Sequence, residues 1–471
     1  MIPLRLGELA ELLDGRLVLP EGVDADLVVE GGVETDSRLV APGSVFVALP
    51  GETTDGHLFA TAAVEAGAVL VICREDLGLA APQLVVADGL EALASLARAV
   101  VARVRADGAL RVIGVTGSNG KTTTKNMLGS ILAAEGPTVA PRESFNNQVG
   151  APVSMLRIDR ATRFLVVEMG ASGPGEITRL ASIARPDIGV VLKVGLAHAG
   201  GFGGLDATEA AKAELVTGLP DTAVAVLNAD DERVARMAGR TAARVVTFGQ
   251  SSGAEVRAAV AAATIRGTRF ALVADGERRP VHLRILGEHH VMNALAALAV
   301  ARELGIDPAR SIAALESLER AERWRMELLP RPDGVVVIND AYNASPDSTA
   351  AALKTLAQLG RAEGRRTVAV LGEMAELGPY AREEHDRIGR LAVRLDIRRL
   401  VVVGEGARHI HAGAGLEGSW DGESLFAADA DAAYDVLRDD LGPGDLVLVK
   451  SSKSAGLRFL GDRLAGIGEA P

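Results

Sequence analysis

A glycine-rich segment that ends in a lysine and a threonine is the part of this sequence best suited to chemistry. It reads Gly117-Ser118-Asn119-Gly120-Lys121-Thr122 and is followed by Thr123. Glycines let backbone N–H groups converge on a phosphate, the lysine reaches a nucleotide's outer phosphates, and the threonine hydroxyl can bind Mg²⁺. Val115 stands where the strict phosphate-loop pattern has its first glycine. The segment predicts a phosphate site, with a glycine-rich turn capped by Thr122 as the alternative.

Three more side chains could complete such a site. Glu168 follows an apolar run, His198 lies in the glycine-rich stretch LAHAGGFGG, and Lys212 lies in TEAAKAEL. A carboxylate at the end of a neighbouring strand and a neutral imidazole are both suitable metal ligands. Taken alone, each has a plainer interpretation, namely a solvated strand-end acid, a surface histidine and a solvated helix lysine. Beside a phosphate loop, Glu168 becomes a predicted metal ligand.

The elements around the loop have the order that a phosphate site needs. An apolar strand, RVIGVTG, leads into the loop, and a helix follows with Met127, Leu128 and Ile131 at helical spacing. Gly136-Pro137 ends that helix. The helix N-terminus adds positive potential beside the loop, which favours bound phosphate.

Further strand patterns with polar ends recur along the chain and predict an α/β fold of three domains. RFLVVEMG, IGVVLKVG and AVAVLNADD belong to the central part, and VVVIND, TVAVLGEM, RLVVVGEG and DLVLVKSS to the last part. We predict a small N-terminal α/β domain (1–107), a mostly parallel phosphate-loop domain (108–320) and a Rossmann-like doubly wound domain (321–471).

Composition narrows the class of protein. The 471 residues carry 62 acidic and 50 basic side chains, a formal charge of −12, so no global cationic field would gather nucleic acid. The first residues lack the basic-then-apolar order of a signal peptide, and no apolar run approaches the ~20 residues that span a bilayer. We therefore expect a cytoplasmic protein that binds neither nucleic acid nor membrane.

The single cysteine, Cys73, is expected in a buried strand.

The motifs together resemble the Mur ligase family. Its central domain carries TGxxGKT, a strand-end Glu, a His and a helix Lys in this order, and the likeness extends over all three predicted domains. The blocks SFNNQVGAPVSML, VVEMGASGPGEI, NDAYNASPDS and VLGEMAELG are similar to those of the members that join D-alanyl-D-alanine to UDP-N-acetylmuramoyl-tripeptide. The resemblance implies ATP and Mg²⁺ as cofactors and those two substrates as partners. We also expect a monomer.

The resemblance also assigns roles to individual residues. It implies that Lys121, Glu168, His198 and Lys212 are catalytic, and that Thr122, Glu168, His198 and Lys212 serve up to two metal ions. ATP would contact the loop from Gly117 to Thr123, together with Asn293, Arg325, Asp340, Tyr342 and Asn343. Substrate would contact Ser37, Arg38, Asn146, Asn147 and Gly150. Lys450 to Lys453, at the end of the last strand, either face this site or form a solvated loop.

Two positions depart from the family pattern. His290 follows His289 where the family has one histidine before the adenine-contacting asparagine, and Trp324 stands where the family usually has glycine. The extra histidine affects the residues that support the adenine pocket. The tryptophan affects the backbone geometry of the loop that carries Arg325.

Lys212 raises an electrostatic question. An ammonium about 4 Å from a divalent ion would be repelled by roughly 8 kcal/mol at an effective dielectric of about 20. The family's answer is carbamylation by CO₂, which makes the group anionic, and the resemblance implies it for Lys212.

Two other functions stay open at this point. One is a related ligase with another substrate, such as another Mur ligase or a folylpolyglutamate synthetase. The other is a phosphate-loop switch protein that is no ligase.

Overall fold

The computed structural model describes residues 1–51, 54–141, 144–196, 203–320, 322–418 and 420–468. In this part of the chain three α/β units follow one another, each built around its own main sheet. The predicted fold class, α/β with a mostly parallel central sheet and a doubly wound C-terminal unit, is confirmed.

The N-terminal unit has a five-stranded sheet within the described residues, in the order β2-β7-β6-β5-β4. Only the β2–β7 pair is antiparallel. The strands are β1 (Leu4–Arg5), β2 (Arg16–Val18), β3 (Val28–Val29), β4 (Val33–Glu34), β5 (Val45–Val47), β6 (Leu70–Cys73) and β7 (Gln83–Val85), with β1 and β3 paired separately. The helices are α1 (Leu6–Leu12), α2 (Ala60–Glu65) and α3 (Gly89–Asp107). Cys73 is buried in β6, as expected.

The central unit has nine strands among the described residues, in the order β16-β15-β14-β13-β12-β11-β8-β10-β9. They are β8 (Arg111–Thr116), β9 (Thr138–Val139), β10 (Phe164–Glu168), β11 (Ile188–Val191), β12 (Val224–Asn228), β13 (Arg244–Gly249), β14 (Val256–Thr264), β15 (Gly267–Ala274) and β16 (Glu277–Leu283). The helices are α4 (Lys121–Ala133), α5 (Gly150–Met155), α6 (Glu176–Ala184), α7 (Leu205–Thr217), α8 (Glu232–Ala235), α9 (His289–Glu303) and α10 (Pro308–Glu316). Pairing is parallel from β9 to β14, and antiparallel through β15 and β16.

Strand β8 occupies the point where the order of this sheet reverses. It pairs with β10 on one side and with β11 on the other, and all but its first residue are buried. Ligands of such sheets bind beyond the carboxyl ends of the strands at this reversal, and there the glycine-rich loop follows β8.

Helix α3 joins the first two units. The Asp88 carboxylate accepts hydrogen bonds from the N–H groups of Leu90 and Glu91 and so caps the helix. Its apolar residues, including Leu93, Leu96 and Val100, are buried, and it packs against α5 and α6 as well as the N-terminal sheet. The two units therefore share one continuous core.

The C-terminal unit has six strands among the described residues, in the order β17-β18-β22-β19-β20-β21. They are β17 (Glu327–Pro330), β18 (Val336–Asn339), β19 (Arg366–Leu371), β20 (Arg399–Val403), β21 (Glu423–Ala427) and β22 (Asp445–Lys450). The helices are α11 (Pro346–Glu363), α12 (Ala381–Arg394), α13 (Arg408–Gly415), α14 (Ala430–Asp440) and α15 (Leu457–Leu464). Apolar clusters cover both faces of this sheet, as in a doubly wound fold.

The central and C-terminal sheets present their carboxyl ends to one cleft. Residues that follow β8, together with the last residue of β10, line one wall of it, and residues that follow β18, together with the last residue of β22, line the other. No helix in the described part of the chain is both long and apolar enough to cross a bilayer.

Candidate active site in the cleft between the central and C-terminal units

The cleft encloses about 980 Å³ of empty space, partly open to solvent. Its lining is mostly polar and comes from both units: Ser118, Asn119, Gly120, Lys121, Thr122, Thr123, Ser144, Asn146, Glu168, His289, His290, Asn293, Arg325, Asp340, Tyr342, Asn343, Ser348 and Lys450. Sequence positions more than 300 residues apart thus meet at one site.

The glycine-rich loop is shaped for a phosphate. Gly117 and Gly120 have φ angles of 152° and 88°, in the region that favours glycine. Gly120 precedes α4 and carries no side chain that could cap it, so the first N–H groups of the helix stay available to an anion. The loop is held in place because the Ser118 N–H donates to the Lys193 carbonyl at 2.8 Å.

Lys121 begins α4 and folds over the loop. Its ammonium donates to the Gly117 carbonyl at 2.7 Å. Burial lowers the pKa of Lys121, the Glu168 carboxylate acts in the opposite direction, and Arg325 adds to the lowering. A phosphate bound in the loop would supply the negative charge that this cation lacks.

Glu168 offers one free oxygen to the cleft. The side chain is only 1% exposed, and its Oε1 accepts hydrogen bonds from Ser144 Oγ and Asn146 Nδ2, both at 2.9 Å. Its Oε2 is buried and has no hydrogen-bond partner among the described residues. A buried carboxylate oxygen normally has a partner. A cation is the ligand that this oxygen fits, and the Thr122 hydroxyl lines the same cleft.

The described residues supply too few ligands for a complete metal cage. Among the described residues, no group of three or more His, Cys, Asp or Glu side chains is placed to hold a metal ion. Mg²⁺ usually takes one or two protein oxygens and completes its octahedron with water and phosphate oxygens. The donors present therefore fit Mg²⁺ held jointly with a nucleotide. His198 lies outside the described residues.

Lys212 is buried in the middle of α7 and is only 2% exposed. Burial, together with the nearby Lys121 ammonium, lowers its pKa from 10.5 to about 7, although Glu176 and Glu214 act in the opposite direction. A large fraction of Lys212 is therefore a neutral, nucleophilic amine at neutral pH.

Asn293 on α9 packs directly against the loop. Any side chain at position 120 would collide with the Asn293 amide, which explains the glycine there. Asn293 Nδ2 lies 3.1 Å from His290 Nδ1, so His290 orients this amide from one helical turn away. Burial lowers the pKa of His290 well below its ordinary value and that of His289 to about 4. Both imidazoles are therefore neutral, and both face the cleft.

Arg325 reaches across from the C-terminal unit. Its Nη2 donates to Thr122 Oγ1 at 3.2 Å, and its guanidinium lies 4.3 Å from the Tyr342 ring centre. Beside it, Asp340 Oδ2 pairs with Lys450 Nζ at 2.6 Å, and that lysine also donates to the Asn343 carbonyl. The ion pair between Asp340 and Lys450 stiffens the wall that carries Tyr342 and Asn343.

A second cleft of about 1480 Å³ adjoins the first and shares Ser144, Asn146, Tyr342 and Asn343 with it. Its remaining lining contains side chains of both charges: Asn147, Ala344, Ser345, Ala375, Glu376, Leu377, Ser452, Lys453, Ser454 and Arg458. A molecule with both a positive and a negative end fits this composition.

Comparisons with known proteins decide the family. The family models described as "Mur ligase family, catalytic domain", "Mur ligase middle domain" and "Mur ligase, glutamate ligase domain" match residues 31–101, 115–301 and 324–453. The UDP-N-acetylmuramoyl-tripeptide–D-alanyl-D-alanine ligase of Mycobacterium tuberculosis is 45% identical over 98% of both chains. This chain belongs to the Mur ligase family.

Solved structures of Mur ligases agree with this assignment. MurF from Acinetobacter baumannii superposes with a TM-score of 0.86 at 30% identity, over 98% of this chain and 99% of that one. MurF from Thermotoga maritima in complex with ADP gives 0.79 at 28% identity, over 93% and 97%. The family resemblance expected from the sequence is confirmed.

The substrate residues expected from the Mur ligase resemblance are spread over three places. Asn146 lines both clefts and Asn147 lines the second, although Asn147 Oδ1 also accepts from the Gly150 N–H at 2.8 Å. Gly150 is buried against Phe145 at the start of α5. Ser37 and Arg38 lie in the N-terminal unit, where the exposed Arg38 pairs with Asp36 at 2.6 Å.

Some residues of the cleft carried little signal in the sequence. Ser144 opens the block SFNNQVGAPVSML but received no role from the sequence, yet its hydroxyl donates to Glu168 Oε1. Lys450 could only be assigned to the site or to solvent, and it is buried and faces the cleft. The rule that polar residues at strand ends form sites could have favoured Lys450, because it ends β22.

Proposed function

We propose that this chain is an ATP-dependent amide ligase that adds D-alanyl-D-alanine to UDP-N-acetylmuramoyl-tripeptide through an acyl phosphate. The observation that carries the proposal is the shared cleft, in which the phosphate loop faces Arg325 and an oxygen of Glu168 that has no hydrogen-bond partner within the described part of the chain. The relatives whose names state this reaction support the choice of substrates.

Activation of a carboxylate explains why such an enzyme uses ATP. A carboxylate is anionic and has no leaving group, so an amine does not displace its oxygen. When a carboxylate oxygen attacks the γ-phosphorus, ADP leaves and an acyl phosphate forms. The amine of the second substrate then attacks the acyl carbon, phosphate leaves, and one proton is released. The protein contributes placement and charge neutralisation.

We propose the ATP contacts that the family resemblance implies, and the cleft supports them because most of these residues line it. The loop residues Gly117 to Thr123 hold the phosphates, with Lys121 on the outer ones and Arg325 closing over them from the opposite wall. Asn293, oriented by His290, contacts the adenine, and the wall of Asp340, Tyr342 and Asn343 contacts the ribose and phosphates.

Thr122 and Glu168 would hold one Mg²⁺, and Glu168 with His198 a second. Held there, Mg²⁺ would supply positive charge beside the phosphate oxygens. The buried Oε2 of Glu168, which has no partner among the described residues, supports the first assignment.

Lys212 would serve as a carbamate. Carbamylation needs a neutral amine, and the lowered pKa of about 7 provides one at physiological pH. The product is anionic, so the repulsion between Lys212 and Lys121 becomes an attraction, and the same group can bind or orient Mg²⁺.

The incoming dipeptide would occupy the second cleft. A free dipeptide has an ammonium and a carboxylate, which match Glu376 at one part of the lining and Lys453 and Arg458 at another. The shared boundary of the two clefts lets its amine reach a carbonyl activated in the first.

The UDP end of the other substrate would bind the N-terminal unit, with Ser37 and Arg38 as contacts. Arg38 is free to turn toward a phosphate because its ion pair with Asp36 is solvent-exposed and contributes little to stability.

We propose domain boundaries at residues 107/108 and 320/321. We also propose that the protein is a monomer and that it acts in the cytoplasm, where ATP is available.

Phosphate release tests the proposal. With ATP, Mg²⁺ and UDP-N-acetylmuramoyl-tripeptide, addition of D-alanyl-D-alanine should raise the rate at least tenfold, and Lys121→Ala should abolish it. Phosphate release at the same rate with and without the dipeptide would instead indicate a phosphate-loop switch. Stimulation by another amino acid or by glutamate would indicate a different Mur ligase or a folylpolyglutamate synthetase.

A further inference from the structure

The backbone on both sides of Arg325 adopts a conformation that bulky residues rarely take. Trp324 has φ +58° and Met326 has φ +50°, both in the left-handed region. For L-residues with a side chain this region is strained, and such strain persists only where the surrounding contacts enforce it. The residue between them is the arginine that reaches the phosphate loop.

Contacts with the C-terminal helix hold Trp324 in this conformation. Its indole Nε1 donates to Asp462 Oδ2 on α15 at 2.9 Å, and its backbone N–H donates to Glu327 Oε2 at 3.0 Å. The ring lies 4.8 Å from the Arg323 guanidinium and meets the Phe459 ring edge-on at 6.0 Å. Several independent contacts therefore fix a single side chain.

The same residue connects the two clefts. On one side its carbonyl accepts from the Tyr342 N–H at 3.1 Å, and Tyr342 is the ring on which Arg325 stacks. On the other side the Arg458 guanidinium, which lines the second cleft, lies 5.5 Å from the indole. Trp324 is thus in contact with the supports of both walls.

We propose that Trp324 is a positioning residue, which holds the segment before β17 in a strained turn so that Arg325 points at the phosphate loop. Arginine has many rotamers, and fixing it in advance lowers the entropy lost when it binds a phosphate. The inference rests on the proposed function in one respect, namely that the cleft binds ATP.

A double-mutant cycle with Arg325 separates this role from general packing. Glycine tolerates the left-handed region, so Trp324→Gly removes the anchor without adding backbone strain. We expect the KM for ATP to rise about tenfold, the loss expected for one charge-assisted hydrogen bond, with kcat within about twofold of wild type. In an Arg325→Ala background the same change should have no further effect on that KM.

Two further variants complete the test. Trp324→Phe keeps a ring but loses the bond to Asp462, and it should give a smaller rise in the KM for ATP, about threefold. It replaces Trp324→Gly in the cycle if the glycine variant does not fold. Trp420→Phe is the matched control, because the second tryptophan donates to the Ile397 carbonyl and lines neither cleft, and its KM should equal wild type.

The outcomes are distinct. A KM for ATP unchanged in both Trp324 variants overturns the inference, as does a rise that multiplies with the effect of Arg325→Ala. Calorimetric titration of the wild-type protein with ATP and Mg²⁺ addresses the proposed function separately. Wild-type binding together with unaffected variants rejects only the role of Trp324, whereas absence of wild-type binding rejects the nucleotide site itself.

Discussion

The neutral amine of Lys212 leads to a prediction about CO₂. An ordinary lysine, with a pKa near 10.5, is only about 0.03% neutral at pH 7. Burial and the nearby Lys121 lower the pKa of Lys212 to about 7, which makes roughly half of it neutral at that pH. The reactive fraction is therefore higher by about three orders of magnitude than for a surface lysine. Enzyme prepared in CO₂-free buffer should lose most of its ligase activity and regain it on addition of bicarbonate.

The direction of the pH dependence follows from the same value. Protonation of Lys212 prevents carbamylation, so below pH 7 the neutral fraction falls about tenfold for each further pH unit. Above about pH 8 almost all of the amine is neutral, and the fraction changes little. At limiting CO₂, activity should accordingly fall steeply below pH 7 and level off above pH 8, and saturating bicarbonate should move the fall to lower pH.

The assay is dipeptide-dependent phosphate release by wild type, Lys212→Ala and Lys212→Arg, with and without acetate or propionate. A small carboxylate can fill the space left by alanine and supply the missing negative charge, whereas arginine fills it with a cation. Lys354→Ala, which removes an exposed lysine from α11, is the matched control and should respond to neither treatment. Full activity without CO₂, combined with no rescue of Lys212→Ala at any carboxylate concentration, would refute the reasoning.

Three further substitutions test the cleft. Lys121→Ala should lower kcat by at least about a hundredfold, because the loop loses its only cation; unchanged ATP turnover in the phosphate-release assay would contradict this. Glu168→Gln should raise the Mg²⁺ concentration that gives half-maximal activity by about tenfold or more. A Mg²⁺ titration measures this midpoint, and an unchanged midpoint would show that Glu168 is not a metal ligand. Asp340→Asn leaves the buried Lys450 without its carboxylate partner, so the free energy of unfolding should fall by about 3 kcal/mol. Denaturant titration measures this change, and wild-type stability would mean that Lys450 finds another partner.

Local sequence patterns were sufficient for most of the fold. The strand before the loop, the apolar stripe of α4 and the strand that ends in Glu168 each have a periodicity that can be read within about ten residues, and the parallel sheet follows from their alternation. The antiparallel strands β14 to β16 were not predicted. Their residues alternate between buried and exposed in alanine- and arginine-rich segments, which hides the usual strand pattern.

The candidate site was less accessible to sequence reasoning, because its contacts are tertiary. The loop motif marks Lys121 and Thr122 directly. Arg325 approaches Thr122 from beside a left-handed backbone at Trp324, a conformation that glycine would signal and tryptophan does not. The pairing of Lys450 with Asp340 joins residues 110 positions apart in sequence, at the end of β22 and directly after β18. Such pairs become visible only when the sheet is assembled.

Transfer of oxygen from the tripeptide carboxylate to phosphate tests the central claim most directly. UDP-N-acetylmuramoyl-tripeptide labelled with ¹⁸O in its terminal carboxylate would be incubated with ATP, Mg²⁺, D-alanyl-D-alanine and the enzyme, and the released phosphate analysed by mass spectrometry. An acyl phosphate requires that one carboxylate oxygen leaves with the phosphate, so each turnover should deliver one ¹⁸O atom to it. Phosphate that carries no label, released at the same rate as ADP, would contradict the account.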